Sequence, residues 1–349
     1  MGDPGLRPAV TARELRAAAE RLSLPAVGVA PARVEPRLRL LADDEGAAVL
    51  LRRQWVGDGT AEAVVLHRAG VPLEHPAVVA TAVAWGCDTI RHAPTGRSFP
   101  VPPPPDDAPL AHRFRHLAAR AATRVEVAVA LAGDDADAAA HAAAVEVFAP
   151  LGVPVLSEEG PDEPVAEGLP WIVLHPVDGN LFAGLPPWAF SAGLVSGGRP
   201  VAGLVADLSS GRRWEGIAGE GARRDGVAAS PRAGGTVIVP SAPRGERIDV
   251  PGNADRVRVT GCTAIDLCLV ADGSAAAWHD LDRGGSRVHD LAGGLAVLLA
   301  AGGAAVTVDG GPITLEARSD ARLRFVAAGT ERAARELLRS APGRGADGR

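Results

Sequence analysis

An apolar run that ends in a histidine and a proline constrains the fold of this chain more than any other segment. Residues 171–174 are all apolar, and His175 and Pro176 follow them directly. Because Pro176 has no amide proton to give to a strand ladder, the run predicts a buried strand that ends where the polar residues begin. His175, Asp178 and the backbone amides after Asp178 would then lie together at a strand end.

Two further segments place acidic residues at the ends of predicted elements. Residues 153–156 have the pattern of a short buried strand, and Glu158 and Glu159 follow it. Residues 286–294 open a helical run rich in alanine and leucine, which places Asp290 near a helix N-terminus. A carboxylate is electrostatically favoured there, and it can act as a helix cap or as a metal ligand.

The turn at Asp178 and Gly179 has two interpretations. Carboxylate oxygens suit a hard cation such as magnesium, and a glycine lets the backbone approach an anion closely. Taken alone, however, an Asp-Gly pair after a strand is an ordinary turn. The site interpretation gains weight only when the acidic segments on either side are added.

The order of these segments resembles the inositol monophosphatase family of magnesium-dependent phosphatases. The family pattern is Glu-Glu, then Trp followed by Asp-Pro-x-Asp-Gly, then Trp-Asp-x-Ala-Gly, and the likeness extends from about Leu110 to Leu338. The resemblance implies an α/β fold of layered type, an αβαβα sandwich, preceded here by a small α+β N-terminal domain. It also implies a phosphatase that hydrolyses a small phosphomonoester, such as a cyclitol, sugar or nucleotide phosphate, by metal-activated water.

The same resemblance implies roles for particular residues. Glu158, Asp178 and Asp290 would hold metal, His175 stands at a fourth ligand position, and Glu158 would also orient the attacking water. The remaining implied roles are a ligand carbonyl at Val177, phosphate-binding amides at Gly179 and Asn180, water activation by Asp135 or equally by Asp134, and substrate recognition by Asp280, whose spacing to Asp290 is longer than usual.

Two departures from the family pattern bear on the chemistry. His175 stands where the family keeps an aspartate that bridges two ions, and a neutral imidazole offers one lone pair at a time and favours zinc, nickel or iron over magnesium. The family threonine after Asp-Gly is missing, and Asn180 cannot relay a proton as a hydroxyl does. The implied cofactor is therefore Mg²⁺, with Mn²⁺ or Zn²⁺ as the alternatives that His175 suggests.

Three hypotheses stay open at this point. The first is a metal-dependent phosphoric monoester hydrolase, which is the favoured one. The second is a catalytically degenerate relative that binds a phosphorylated metabolite or a protein partner without turnover. In the third, the N-terminal domain carries the activity and the rest of the chain is a scaffold.

Composition excludes several other classes of function. The 349 residues carry a formal net charge of −6, which argues against a nucleic-acid coat protein, and the lack of lysine excludes Schiff-base chemistry on this chain. No apolar run is long enough to span a bilayer, and the N-terminus lacks the apolar core of a signal peptide, so we expect a cytoplasmic protein that does not bind membranes. The expected ligand is a small phosphorylated metabolite, and the family resemblance suggests a homodimer.

The chain divides at a proline-rich stretch, residues 100–109, which has the composition of a stiff linker. Residues 1–99 are predicted to form the α+β domain, and residues 110–338 the phosphatase-like domain with helices over 110–129 and 137–150. A disordered tail is expected over 339–349. In the first domain we predict a helix from Thr11 to Leu22 and strands at 37–41, 47–51, 63–67 and 77–85.

Overall fold

The described part of the chain contains mixed β-sheets whose strands bury alternate side chains. The computed structural model describes residues 37–43, 46–57, 59–132, 135–160, 165–166, 168–180, 184–232, 234–238, 255–281 and 284–340, and positions 7, 8, 14, 17, 18 and 22. The predicted helix from Thr11 to Leu22 falls largely outside these residues, as does Asp134.

The N-terminal unit is a six-stranded sheet with one helix packed against it. The strands lie in the order of the sequence, and all neighbours are antiparallel except β4 and β5. Their bounds are β1 (Arg7–Pro8), β2 (Leu38–Ala42), β3 (Ala48–Trp55), β4 (Ala61–Ala69), β5 (Thr89–His92) and β6 (Ser98–Pro100), with helix α1 (Pro76–Ala84) between β4 and β5.

The predicted strand over residues 77–85 is wrong, because this segment forms α1. The His75 side chain accepts a hydrogen bond from the Ala77 amide at 3.2 Å, and Pro76 occupies the first turn, where its missing amide proton is no loss. A short apolar run fits a buried strand or a buried helix equally well, and these capping residues decide for the helix.

The larger unit is built on a seven-stranded sheet in the order β13 to β7. Strands β7 and β8 are parallel, and the other neighbours are antiparallel. The strands are β7 (Val155–Ser157), β8 (Trp171–Asn180), β9 (Leu185–Ser196), β10 (Arg199–Asp207), β11 (Arg213–Ile217), β12 (Gly221–Arg224) and β13 (Val227–Ala229).

Helices cover both faces of this sheet, and a second sheet follows. Helices α2 (Leu110–Ala132) and α3 (Ala136–Phe148) cover one face, and α4 (Thr263–Ala271) and α5 (Val288–Ala300) cover the other. The second sheet has the order β15-β14-β16-β20-β18, and α6 (Glu331–Ser340) packs on it. Its strands are β14 (Thr236–Ile238), β15 (Arg256–Arg258), β16 (Ala277–His279), β18 (Ala304–Thr307) and β20 (Phe325–Ala328), while β17 (Ser286–Arg287) pairs with β19 (Arg322–Leu323).

The resulting order of layers is α2 and α3, the first sheet, α4 and α5, the second sheet, and α6. This order confirms the predicted α/β fold with an αβαβα sandwich. The helices predicted over residues 110–129 and 137–150 correspond to α2 and α3. Residues 339 and 340, which the sequence assigned to the tail, are the last residues of α6 instead; residues 341–349 lie outside the described part.

The predicted end of strand β8 at Pro176 is also wrong. The strand continues to Asn180, with irregular pairing to β9 between His175 and Asp178 and again between Gly179 and Asn180. A bulge leaves residues without ladder bonds, so Pro176 is tolerated without ending the strand.

A buried polar network joins the N-terminal sheet to α2. Arg53 of β3 donates to Glu126 at 2.6 Å, and Thr123 donates to the carbonyl of Trp85 at 2.8 Å. Arg213 of β11 donates to Thr123 at 2.7 Å and to the carbonyl of Ala119 at 3.0 Å. Because Arg53 and Glu126 are buried, separating the N-terminal sheet from α2 would break their ion pair and leave Arg53 without this partner.

Gly86 makes the closest approach in this contact. A Cβ at Gly86 would overlap the carbonyl of Ala119, whereas a Cβ at Gly96 would meet nothing within 4 Å, and φ is positive at both glycines, +66° and +70°. We expect Gly86→Ala to destabilise the protein by about 2 kcal/mol more than Gly96→Ala, because both pay the backbone cost but only the first meets a steric clash. Urea unfolding of the two variants tests this, and equal losses would contradict the tight docking.

Candidate active site

Strand β8 presents its side chains alternately to the two helical layers. Ile172 and Leu174 pack in the cluster formed with α2 and α3, whereas Trp171 and Val173 pack in the cluster formed with α4 and α5. Because side chains alternate along a strand, His175 continues the face that looks toward α4 and α5. The ring is buried, with the cluster described below around it.

Glu158 reaches the same place from the neighbouring strand. Strand β7 runs parallel to β8, and Ser157 is in register with Leu174. The next residues along the chain are Glu158, directly after the end of β7, and His175, within β8, so the parallel pairing brings these side chains together. Glu158 Oε2 lies 3.1 Å from His175 Nε2, and the Glu158 side chain is 36% exposed, which keeps this group in contact with solvent.

Helix α5 supplies two further groups from its first turn. The Asp290 side chain accepts a hydrogen bond from the Arg287 amide at 3.2 Å, which satisfies one of the free amides at the helix start. The other oxygen, Asp290 Oδ1, lies 3.3 Å from His175 Nδ1. Asp290 is therefore both a cap and a cluster residue, the two roles that the sequence left open.

His289 is a member of the cluster that the sequence analysis missed. Its Nε2 lies 3.5 Å from Glu158 Oε2 and 3.5 Å from Asp290 Oδ1, and its ring meets that of His175 edge-on with centroids 5.0 Å apart. The signal was present in the family pattern, which has a tryptophan directly before the aspartate of the last motif. This chain has His289 at that place.

Asp178 joins the cluster with only one of its two carboxylate oxygens free for it. Oδ2 accepts hydrogen bonds from Cys262 Sγ at 3.0 Å and from the Ala264 amide at 3.2 Å, at the start of α4. Oδ1 lies 3.9 Å from His175 Nδ1. The N-terminus of α4 therefore fixes the orientation of Asp178, and the buried Cys262 has a polar contact with it.

The cluster sets the charge of its members. Burial acts to lower the pKa of His175, but contacts with Asp290 and Glu158 prevail and raise it well above its ordinary value. The contact with His175 is the main cause that lowers the pKa of Glu158 to about 2. Burial lowers the pKa of His289 to about 4 and raises that of Asp178. At neutral pH His289 is therefore neutral, and one of its two ring nitrogens keeps a free lone pair.

The other residues predicted for the site lie apart from this cluster or at its edge. Asp135 is the exposed N-cap residue of α3, without a side-chain capping bond, and its role in water activation stays a prediction. Asp137, one half-turn on, is closer electrostatically: burial raises its pKa, and its carboxyl also feels the charges of His175 and Glu158. Asp280 is buried and accepts a hydrogen bond from Ser286 at 2.8 Å, so its role in reading substrate also stays a prediction.

The backbone directly after Asp178 is the segment that the sequence predicts to bind phosphate. Gly179 has φ +111°, and a Cβ there would lie 2.6 Å from the carbonyl oxygen of Pro187, so only glycine fits. Val177 and Asn180 are the neighbouring strand residues, in the irregular part of β8. The binding of phosphate by these amides and of metal by the Val177 carbonyl stays a prediction.

A sequence model described as the inositol monophosphatase family matches residues 133–342. The chain belongs to the inositol monophosphatase family. It is 30% identical over 194 residues to the fructose-1,6-bisphosphatase/inositol-1-monophosphatase of Thermococcus kodakarensis, covering 54% of this chain and 75% of that protein. It is 32% identical over 187 residues to the inositol-1-monophosphatase ImpA of Mycolicibacterium smegmatis, covering 48% and 66%.

Solved structures agree on the fold. The inositol monophosphatase from Anabaena superposes with a TM-score of 0.56 at 23% identity, covering 66% of this chain and 95% of that one. Family membership supports a phosphatase of the inositol monophosphatase superfamily, a group of metal-dependent enzymes that typically use Mg²⁺. No helix in the described ranges combines the length and apolar character needed to cross a bilayer.

The side chains present fit a divalent cation but not an all-oxygen magnesium site. Within the described residues, donor atoms of two trios lie within 4.8 Å of one another: Glu158, His175 and His289, and His175, Asp178 and Asp290. Mg²⁺ takes oxygen ligands almost exclusively, whereas each trio here contains imidazole nitrogen.

The hydrogen bond between Cys262 and Asp178 can be tested by itself. Cys262→Ser keeps a hydrogen-bond donor, and Cys262→Ala removes it. Cys268→Ala is the control: it creates a similar cavity in buried helix α4, and Cys268 has no hydrogen bond to Asp178 among the described contacts. We expect Cys262→Ala to lower the free energy of unfolding by about 1–2 kcal/mol more than Cys268→Ala does, because a buried carboxylate oxygen of Asp178 loses a hydrogen-bond partner. Chemical denaturation measures this, and a loss in Cys262→Ser equal to that in Cys262→Ala would contradict it.

Proposed function

We propose that this chain hydrolyses a small phosphomonoester at the cluster formed by Glu158, His175, Asp178, His289 and Asp290. One observation carries the proposal: three carboxylates, from the segment after β7, from β8 and from the start of α5, converge on His175. Bringing three acidic groups together is electrostatically unfavourable unless a cation compensates them, and it is the arrangement that a phosphatase of this family uses.

Each side chain has a definable task in such a reaction. Asp178 and Asp290 are anchored by helix-start amides, which can keep both carboxylates fixed beside a bound cation. Glu158, the most exposed of the three carboxylates, can orient the attacking water. A divalent ion held there would supply the Lewis acidity that lowers the pKa of water and offsets the charge of the phosphoryl group.

Arg287 adds a positive charge at the mouth of the site. Its guanidinium lies 2.5 Å from Glu158 Oε1, and its side chain is 41% exposed. Because a guanidinium binds phosphate oxygens through two parallel hydrogen bonds, Arg287 can exchange Glu158 for the incoming phosphate. Water then attacks phosphorus, the ester P–O bond breaks, and the leaving alkoxide takes a proton from solvent, giving phosphate and an alcohol.

The substrate class follows from the relatives. The Thermococcus kodakarensis protein is named for fructose 1,6-bisphosphate and inositol 1-monophosphate, and the Mycolicibacterium smegmatis protein for inositol 1-monophosphate. We therefore propose cyclitol and sugar phosphates before nucleotide phosphates. A cytoplasmic location and a homodimer, both expected from the sequence, belong to the same proposal.

A second function is favoured by the charge balance of the cluster. A protonated His175 already compensates Glu158 and Asp290, so the site can persist without an ion and bind a phosphorylated metabolite without turning it over. The two functions differ in phosphate release, whereas both allow phosphate binding.

Phosphate release separates these functions. We expect the chain to release phosphate from cyclitol or sugar monophosphates in the presence of a divalent ion. Asp178→Asn and Asp290→Asn should lower kcat by about 100-fold or more, because each removes a negative charge beside the ion. Asp320→Asn is the control, since Asp320 is 70% exposed and pairs only with nearby Arg318 among the described ion pairs. Release that is equal in all three variants would contradict the assignment, and binding without release by the parent chain would favour the second function.

A further inference from the structure

Two imidazoles face one another where the family pattern has an aspartate and a tryptophan. His175 and His289 are both buried, their ring centroids are 5.0 Å apart, and the rings meet at an interplanar angle of 74°. Histidine stands at neither position in the family's magnesium pattern, and Mg²⁺ binds nitrogen poorly. The two changes fall on different elements, β8 and α5, yet the fold brings them to a single point.

Two of the three distances between donor atoms around this point are close to those of a metal coordination shell. Glu158 Oε2 lies 3.1 Å from His175 Nε2 and 3.5 Å from His289 Nε2, and one donor atom from each residue lies within 4.8 Å of the other two. Ligands bound tetrahedrally at roughly 2.0–2.2 Å lie roughly 3.3–3.6 Å from one another. Glu158 can therefore share an ion with both imidazoles after small side-chain movements.

His289 has polar atoms that the protein itself does not satisfy. Its side chain is 2% exposed, and neither Nδ1 nor Nε2 makes a hydrogen bond to a described residue, although Nε2 lies 3.5 Å from a carboxylate oxygen of Glu158 and of Asp290. A buried imidazole without partners costs free energy and is rare in native proteins. An ion bound at Nε2 would remove that cost and would also turn the nearby carboxylates into neighbours of a cation.

Asp290 lies on the side of the His175 ring that faces away from Glu158. His175 presents Nε2 to Glu158 and, on the opposite side of the ring, Nδ1 to Asp290 Oδ1 at 3.3 Å. Metal-binding histidines commonly give their other ring N–H to a carboxylate, which fixes the ring and selects the nitrogen that binds the ion. In the present geometry His175 Nδ1 makes no hydrogen bond to a described residue, so Asp290 would hold the ring in this way after a small rotation. The Arg287 amide at the start of α5 holds Asp290.

We infer that this chain binds a zinc-class divalent ion through Glu158 and the Nε2 atoms of His175 and His289, with Asp290 as the residue that positions His175. Two histidines and one carboxylate form the ligand set of catalytic zinc sites, which keep a further position open for water or substrate. Imidazole with carboxylate also suits Fe²⁺ and Co²⁺, whereas Mg²⁺ requires oxygen. The use of this ion in catalysis rests on the proposed function, but its binding does not require turnover.

Calorimetry on the full-length chain, after removal of metal by a chelator, tests the inference. We expect Zn²⁺ to bind at one site about 100-fold or more tightly than Mg²⁺, since nitrogen ligands favour zinc. His289→Gln should weaken Zn²⁺ binding about tenfold or more through loss of a ligand. His112→Gln is the matched control, because His112 pairs with Glu220 on an exposed surface, and this variant should bind zinc as the parent does.

Co²⁺ provides a readout that depends on the ligands. Visible absorption of the Co²⁺ complex should show the strong bands of a four- or five-coordinate site in the parent and in His112→Gln and lose them in His289→Gln, whose folding is checked by its thermal transition. His175→Asp should shift the preference toward Mg²⁺, because it restores a carboxylate and removes a nitrogen.

The outcomes separate this inference from the proposed function. Equal binding of Mg²⁺ and Zn²⁺ by the parent, or unchanged zinc binding in folded His289→Gln, would overturn the inference even if phosphate is released. Tight zinc binding that depends on His289, without phosphate release from any monoester under saturating zinc, would support the inference and count against the proposed function.

Discussion

Close packing of helix α5 on the central sheet is the constraint on which the site depends. A Cβ at Gly193 of β9 would lie 2.8 Å from the carbonyl carbon of Ala292, and a Cβ at Gly293 of α5 would lie 2.5 Å from Ser191 Oγ. Glycine on both sides therefore lets the helix lie directly on the strands. Because His289 and Asp290 are in the first turn of that helix, the same contact places them beside His175 of β8. A larger residue at either glycine would move the helix and open the cluster.

The chemistry of the cluster follows from what this packing brings together. Glu158, Asp178 and Asp290 would repel one another without a cation, and the family compensates such carboxylates with metal ions. Here His175 supplies part of the compensation, and we infer that the pair of histidines changes the ion that the remaining charge would attract. The fold of a magnesium-dependent family is thus retained around a donor set of mixed nitrogen and oxygen, because the ligands change by side-chain substitution while the strand ends and helix start stay in place.

Much of this arrangement could be predicted from sequence, for identifiable reasons. The motif order fixed which segments converge, so Glu158, Asp178 and Asp290 meet as expected. The predicted end of β8 is wrong because a proline can lie in a bulge. The strand predicted over residues 77–85 is wrong because a short segment that is apolar except for Thr81 has no period that separates helix from strand. His289 was missed because its role depends on a ring 114 positions away in the sequence, His175, which only the tertiary structure places beside it. The internal partners of Asp178 were hidden for the same reason.

Anomalous diffraction at the zinc absorption edge, from crystals of the full-length chain grown with Zn²⁺, tests the central claim most directly, because it locates the ion without reference to activity. The account predicts one dominant anomalous peak within bonding distance of Glu158, His175 Nε2 and His289 Nε2, roughly 2.0–2.2 Å from each. A dominant peak bound only by Asp178 and Asp290, or zinc confined to surface histidines such as His112, would contradict it.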